Sequence, residues 1–191
     1  MRLKTLLALT IAAASLATAA LAQAFPTLSF AQMIALDRQL IRAQHQPERP
    51  GDLFFNPGEN GGGKTRAVYT GQSRPLDQRK QAFLAAFAST SGGNDQYATL
   101  YQREYRFTAD GKDWWLPVQS QVAGYFGKEL KVGEAVTIYV RNAGGFRLST
   151  EWEWIFLVEE FDTPVGKDAP PKDGKPGAKK VVIPPGPKVE T

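Results

Sequence analysis

The sequence predicts an α+β fold, in which an antiparallel sheet of about four to six strands carries two or three helices. Three observations favour this fold. Apolar residues recur at helical spacing in three segments. From Thr99 onward the apolar period is mostly two, which is typical of strands. The turn signals between those strands suit hairpins, so we expect an antiparallel sheet with helices covering one face.

The first helix is predicted to begin after Ser29, which forms a capping-box pattern with Gln32. The helical spacing continues to about Ala43, and the segment HQPERPGD then ends the helix with two prolines and a glycine. A second helix is predicted to begin near Pro75, since proline suits a first turn, and to end before Gly92.

The second half of the chain is predicted to form most of the sheet. Asp110 and Gly111 give a hairpin signal between its first two strands. The last strand has apolar residues on both faces, such as Ile155 and Phe156, which is typical of a central strand. The predicted elements are a strand at 99–107, a return strand beginning at Trp114, a helix at 120–130, and strands at 135–141 and 151–161.

The first 24 residues predict a secretory signal peptide. Arg2 and Lys4 precede an apolar run, and an A-x-A pattern of small residues places cleavage after Ala22 or Ala24. The apolar run is shorter than the roughly 20 residues that a membrane-spanning helix needs. The sequence contains no cysteine, which excludes disulfides, thiol catalysis and a lipoprotein anchor. We therefore expect export to the periplasm.

The mature chain is predicted to divide into one α+β globular domain at 25–162 and a disordered tail at 163–191. The domain holds 15 basic and 16 acidic residues, a balance that argues against a nucleic-acid surface. The tail holds seven prolines and four glycines in 29 residues. Such a composition offers too little apolar surface to offset the entropy lost on ordering the tail.

The segment PGENGGGKT matches the letters of a phosphate-binding loop, with Gly58, Gly63, Lys64 and Thr65 in the motif positions. A phosphate-binding loop must connect a strand to the N-terminus of a helix, where backbone N–H groups bind the phosphate. The segment that follows, 66–70, is instead predicted to be extended. We therefore interpret the match as accidental, and expect a flexible hairpin connection between a short strand at 53–55 and this second extended segment.

Candidate catalytic groups are few. His45 is the only histidine and has no partner pattern for a triad or a metal site. We expect no cofactor and no metal, and a protein that is not an enzyme. The alternative is a hydrolase of envelope polymers that uses paired carboxylates, for which Glu151 with Glu153 and Glu159 with Glu160 are the candidates.

The aromatic residues are the candidate ligand-binding groups. All four tryptophans fall in two pairs, Trp114 with Trp115 and Trp152 with Trp154, on strands that could pair. Tyr101, Tyr105 and Tyr139 could lie nearby. The alternative is that these rings only fill the core. We expect an accessory binding module of the cell envelope, whose ligand is a peptide, a glycan or a partner protein on an aromatic sheet surface.

Overall fold

The computed structural model describes residues 25–44, 48–56, 61–90 and 96–163. The predicted leader, His45 and almost all of the predicted tail lie outside these residues. The described residues confirm the α+β fold with a mostly antiparallel sheet. Its elements are α1 (Phe30–Ala43), β1 (Leu53–Phe55), β2 (Gly62–Pro75), α2 (Gln78–Thr90), α3 (Gln96–Thr99), β3 (Arg103–Ala109), β4 (Lys112–Val118), α4 (Ser120–Glu129), β5 (Ala135–Arg147) and β6 (Trp152–Asp162).

Five of the strands close into a barrel. The order around it is β2, β3, β4, β6, β5 and back to β2, and each pair is antiparallel except β4 with β6. Helix α4 connects the third barrel strand to the fourth. A five-stranded, partly open Greek-key barrel with this connectivity is an OB fold. Of the described helices, none is long and apolar enough to cross a membrane.

Strands β1 and β2 do not form the hairpin that the glycine-rich segment suggested. Both pair with the same edge of β5, with Phe54 opposite Gly145 and Gly63 opposite Val140. Because each strand is antiparallel to β5, the two run in the same direction and cannot be joined as a hairpin. Strand β2 is also longer than predicted, and Pro75 ends this strand rather than beginning a helix.

The core has two parts. Inside the barrel, Phe126 of α4 lies edge-on to Tyr105 and Phe161, with ring centroids 5.0 and 5.3 Å apart. Outside the barrel, α2 buries Phe83 and Leu84 against β5 and β6. Strand β6 is therefore covered on both sides, as its two apolar faces predicted. A residue such as Phe156 points into the first part and Ile155 into the second.

Helix α1 is fixed to the barrel by a buried acid. The Ser29–Gln32 capping box is present, with the Gln32 amide nitrogen donating to the Ser29 hydroxyl at 3.1 Å. Asp37 lies on the buried face and is fully enclosed. Its carboxylate accepts hydrogen bonds from the side-chain amides of Asn56 at 2.9 Å and Asn142 at 2.8 Å. These bonds tie α1 to β5 and to the end of β1.

Candidate functional site

A groove of about 650 Å³ lies at one end of the barrel and gathers all four tryptophans. Helix α1 forms one wall, the starts of β4 and β6 form the floor, and the ends of β2 and β5 complete it together with α2. The lining residues are Ile34, Arg38, Arg42, Glu48, Arg74, Lys80, Asp113, Trp114, Trp115, Arg147, Thr150, Glu151, Trp152, Glu153 and Trp154.

The groove follows from the way the barrel closes. Strands β4 and β6 share a single ladder pair, Val118 with Val158, within the described residues. Trp114 and Trp154 precede this pair on their strands, where no β4–β6 ladder holds the strands together. The barrel is thus open at this end, and large side chains occupy the opening.

The tryptophans of β4 point to opposite sides of the strand, as alternation requires. Trp114 packs against Phe30 at a centroid distance of 4.6 Å, and its indole N–H donates to the Ala109 carbonyl. Trp115 lies beneath the guanidinium of Arg74, whose central carbon is 4.2 Å from the ring centroid. Trp114 therefore serves the core and lines the groove at once, whereas Trp115 forms a cation–π pair.

The tryptophans of β6 lie on the same side and stack. The rings of Trp152 and Trp154 have centroids 5.6 Å apart and an interplanar angle of 26°. The indole N–H of Trp152 donates to Glu48 at 2.8 Å, and Trp154 contacts the edge of Phe54. Both rings remain partly accessible. Stacking covers one face of each ring, and the pair is held in place by polar and apolar contacts.

A buried ionic network supports the floor of the groove. Glu104 is fully buried and pairs with both Arg74 and Lys80, and Lys80 also contacts Glu153 at 2.9 Å. Burial alone would lower the pKa of Lys80. The hydrogen bonds and charges of the two glutamates outweigh burial and raise this pKa above its ordinary value. Lys80 is therefore held as a cation and is unsuited to act as a base or nucleophile.

Two further ion pairs hold groove residues in place. Asp113 accepts hydrogen bonds from the Thr108 hydroxyl and from Arg106, and these lower the pKa of its carboxyl. Glu48 pairs with Arg147 and also accepts the Trp152 indole N–H. The carboxylates of Asp113 and Glu48 are thus already engaged by neighbouring cations.

The three candidate tyrosines do not line the groove. Tyr101 is buried with α2, and burial raises the pKa of its hydroxyl well above the ordinary value. Tyr105 packs on Phe126 inside the barrel. Tyr139 donates to Asp162 at 2.5 Å, and burial together with this carboxylate raises its pKa to about 12. The structure thus brings the tryptophans together but places these tyrosines elsewhere.

The candidate carboxylate pairs are also divided. Glu151 and Glu153 line the groove, but Glu153 is tied to Lys80 and Glu151 is exposed. Glu159 lies outside the groove and accepts hydrogen bonds from Arg141 at 2.8 Å and from two tyrosines. Glu160 lies opposite Tyr139. Among the described residues, no cluster of histidine and acidic side chains is arranged to hold a metal ion.

The phosphate-loop motif has no helix to support it. Lys64 and Thr65 lie within β2, in register with Tyr139 and Ile138. Gly63 is buried where β2 passes close to α1. A Cβ added at Gly63 would lie only 3.2 Å from the Met33 sulfur. The described part of the glycine run therefore serves strand pairing beneath α1, while Gly58 lies outside the described residues.

The sequence did not indicate the basic residues of the groove. Arg38 and Arg42 follow Ile34 at intervals of four, so one stripe of α1 faces the tryptophans. This spacing is visible in the sequence, but equal spacing occurs on any solvated helix face. Arg74 lies near the end of β2, and Lys80 lies on α2 in the long β2–β3 connection, whose path over the barrel has no local signal.

The groove takes residues from several parts of the barrel. The third barrel strand supplies Trp114 and Trp115, the 1–2 connection supplies Lys80, and the 4–5 loop supplies Thr150 and Glu151. No protein-family model, curated protein or solved structure matches the chain.

Proposed function

We propose that the protein is an exported, non-enzymatic binding module of the cell envelope that holds a glycan chain in the tryptophan groove. The observation that carries this proposal is the convergence of Trp114, Trp115, Trp152 and Trp154 on one cavity. Indole rings offer broad flat surfaces that stack on the C–H faces of sugar rings, while their N–H groups bond polar partners. Export rests on the leader pattern at 1–24.

The mixed charge of the groove favours a glycan over other ligands. Its lining has five basic and four acidic residues, a set that can both donate to and accept from sugar hydroxyls. A single-stranded nucleic acid is bound by a strongly positive groove along its backbone, whereas this lining has five basic residues against four acidic ones. A peptide added as a strand would bind through the backbone at the unpaired edges of β4 or β6. The groove instead gathers four tryptophan side chains, which suit stacking on sugar rings.

The test is a titration of the purified protein, followed by tryptophan fluorescence and calorimetry. The probes are muramidase-released peptidoglycan fragments, the N-acetylglucosamine hexamer and a thymidine dodecamer. We expect at least one glycan to shift the emission and the dodecamer to have no effect. Trp115→Ala and Trp152→Ala should each weaken glycan binding at least tenfold, about 1.4 kcal/mol.

The matched control is Tyr125→Ala, since Tyr125 is an exposed aromatic residue that lies outside the groove. Its affinity should equal that of the wild type, and circular dichroism should show that all three variants are folded. Unchanged affinity in both tryptophan variants would overturn the proposal. Release of new reducing ends, lost in Glu151→Gln, would favour the hydrolase instead.

A further inference from the structure

Most charged groups of the groove are already neutralised by neighbours. Glu48 is paired with Arg147, Asp113 with Arg106, and Glu153 with Lys80. Arg74 is likewise held by Glu104 and by the face of Trp115. These groups are structural partners of one another and have limited capacity to attract a further charge.

Two cations are exceptions. Arg38 and Arg42 are exposed on α1, and neither guanidinium has an ion-pair or hydrogen-bond partner among the described residues. They stand one turn apart, so their Cβ atoms are about 6 Å from each other, and like charges at this spacing repel. Arg42 also stands in the last turn, where the helix dipole favours a cation, but Arg38 lies a turn earlier.

The groove has less unpaired negative charge than unpaired positive charge. Glu151 is the one groove carboxylate without an ion pair among the described residues, and it is exposed on the loop before β6. The unpaired groups are therefore two cations and one anion, so the groove retains a positive excess on its α1 wall. A carboxylate located between Arg38 and Arg42 would accept charge-assisted hydrogen bonds from both and relieve their repulsion.

We propose that the groove selects acidic glycans, with a sugar ring on the stacked Trp152–Trp154 pair and its carboxylate held by Arg38 and Arg42. This inference rests on the proposed function and adds to it a chemical class of ligand. Because α1 precedes the barrel in the chain, the selectivity comes from a segment outside the five-stranded barrel itself.

The experiment compares two probes, the hexamer of galacturonic acid and its full methyl ester, which lacks the charge and carries one added methyl group on each sugar. We expect the acid to bind at least tenfold more tightly than the ester in low salt, with the preference falling in 0.5 M salt. The double variant Arg38→Gln/Arg42→Gln should lose this preference while binding the ester as the wild type does. Arg66→Gln/Lys128→Gln removes two exposed cations outside the groove, and it should keep the preference.

The outcomes separate the two proposals. Equal binding of acid and ester by the wild type overturns the acidic selectivity and leaves glycan binding intact. A preference that survives in the Arg38→Gln/Arg42→Gln variant also overturns it. Tighter binding of a thymidine dodecamer than of the acidic hexamer would show that the arginines serve a nucleic acid. Binding of neither hexamer, together with no binding of the peptidoglycan fragments, rejects both proposals.

Discussion

Asn142 donates a hydrogen bond to the Asp37 carboxylate at 2.8 Å, across a separation of 105 residues in the chain. Both side chains are buried, and the oxygen of Asn142 also accepts the amide N–H of Gly144 at 3.1 Å. The contact connects α1, which forms a wall of the groove, to β5 at the center of the sheet. It therefore holds the position of Arg38 and Arg42 relative to the tryptophans.

Asp37→Asn is expected to lower the free energy of unfolding by about 1–3 kcal/mol. The amide would turn one of the two acceptor oxygens into a donor, which would face the donating amide of Asn56 or Asn142. Urea denaturation measures the change. Gln39→Glu makes the reverse exchange at an exposed position of the same helix, and it should stay within about 0.5 kcal/mol. A similar loss in both variants would contradict this role for Asp37.

The effect of Asp37→Asn should depend on pH. Burial raises the pKa of Asp37 above its ordinary 3.8, although the hydrogen bonds from Asn142 and Asn56 act in the opposite direction. At pH values between 3.8 and the raised pKa, the folded state therefore keeps a proton on Asp37 that the unfolded state has lost. The contribution of Asp37 to stability is thus largest below pH 3.8 and falls as pH rises through the folded pKa. The stability gap between wild type and variant should be larger near pH 3 than near pH 7. A stability difference between wild type and variant that grows towards pH 7 would show that folding lowers the pKa of Asp37, which would contradict this prediction.

Lys80→Met is expected to destabilise the protein by about 3–5 kcal/mol, because it leaves the buried Glu104 without one of its two cations. The double variant Lys80→Met/Glu104→Leu should recover most of this loss, since no buried charge remains and Arg74 is half exposed. Thermal and urea unfolding measure both. Lys128→Met, at an exposed position of α4, is the control. A double variant less stable than the single one would refute this account.

Gly144→Ala is expected to cost more than about 3 kcal/mol. Gly144 has a φ of +109°, and an added Cβ would lie 2.0 Å from the Phe54 carbonyl oxygen, so β1 could not keep its place on β5. The matched control is Gly124→Ala in α4, where an added Cβ meets nothing within 4 Å. That change should stabilise the protein by about 0.4–1 kcal/mol, by the lower chain entropy of alanine. Equal effects at the two sites would be unexpected on this structure.

Local patterns predicted the elements but not their arrangement. The capping box of Ser29 and Gln32 depends on neighbours in sequence and was predicted correctly. The period-two strands were also found, but the strand predicted at 99–107 begins only at Arg103, because Gln96–Thr99 is helical. The hairpin between β1 and β2 was predicted wrongly, because both strands pair with β5, about 80 residues later in the chain. Such pairings are decided by long-range contacts that no local period encodes.

The candidate site was predictable only in its aromatic part. Tryptophan is rare and its clustering is visible in the sequence, so Trp114 and Trp152 could be selected. Asp37 could not be identified as buried, since a charged residue among helix positions resembles a solvated one until Asn142 is folded against it. Arg74 likewise acquires its role only when β2 and β4 place it over Trp115.

The stacking of Trp152 on Trp154, with ring centroids 5.6 Å apart, has an optical consequence. Transition dipoles of two indoles at this separation couple, and the coupling produces a pair of circular dichroism bands of opposite sign. The Trp152–Trp154 pair thus gives the protein an intrinsic circular dichroism signal at the floor of the groove. Any molecule that separates or twists these two rings will alter that doublet without a dye or a label.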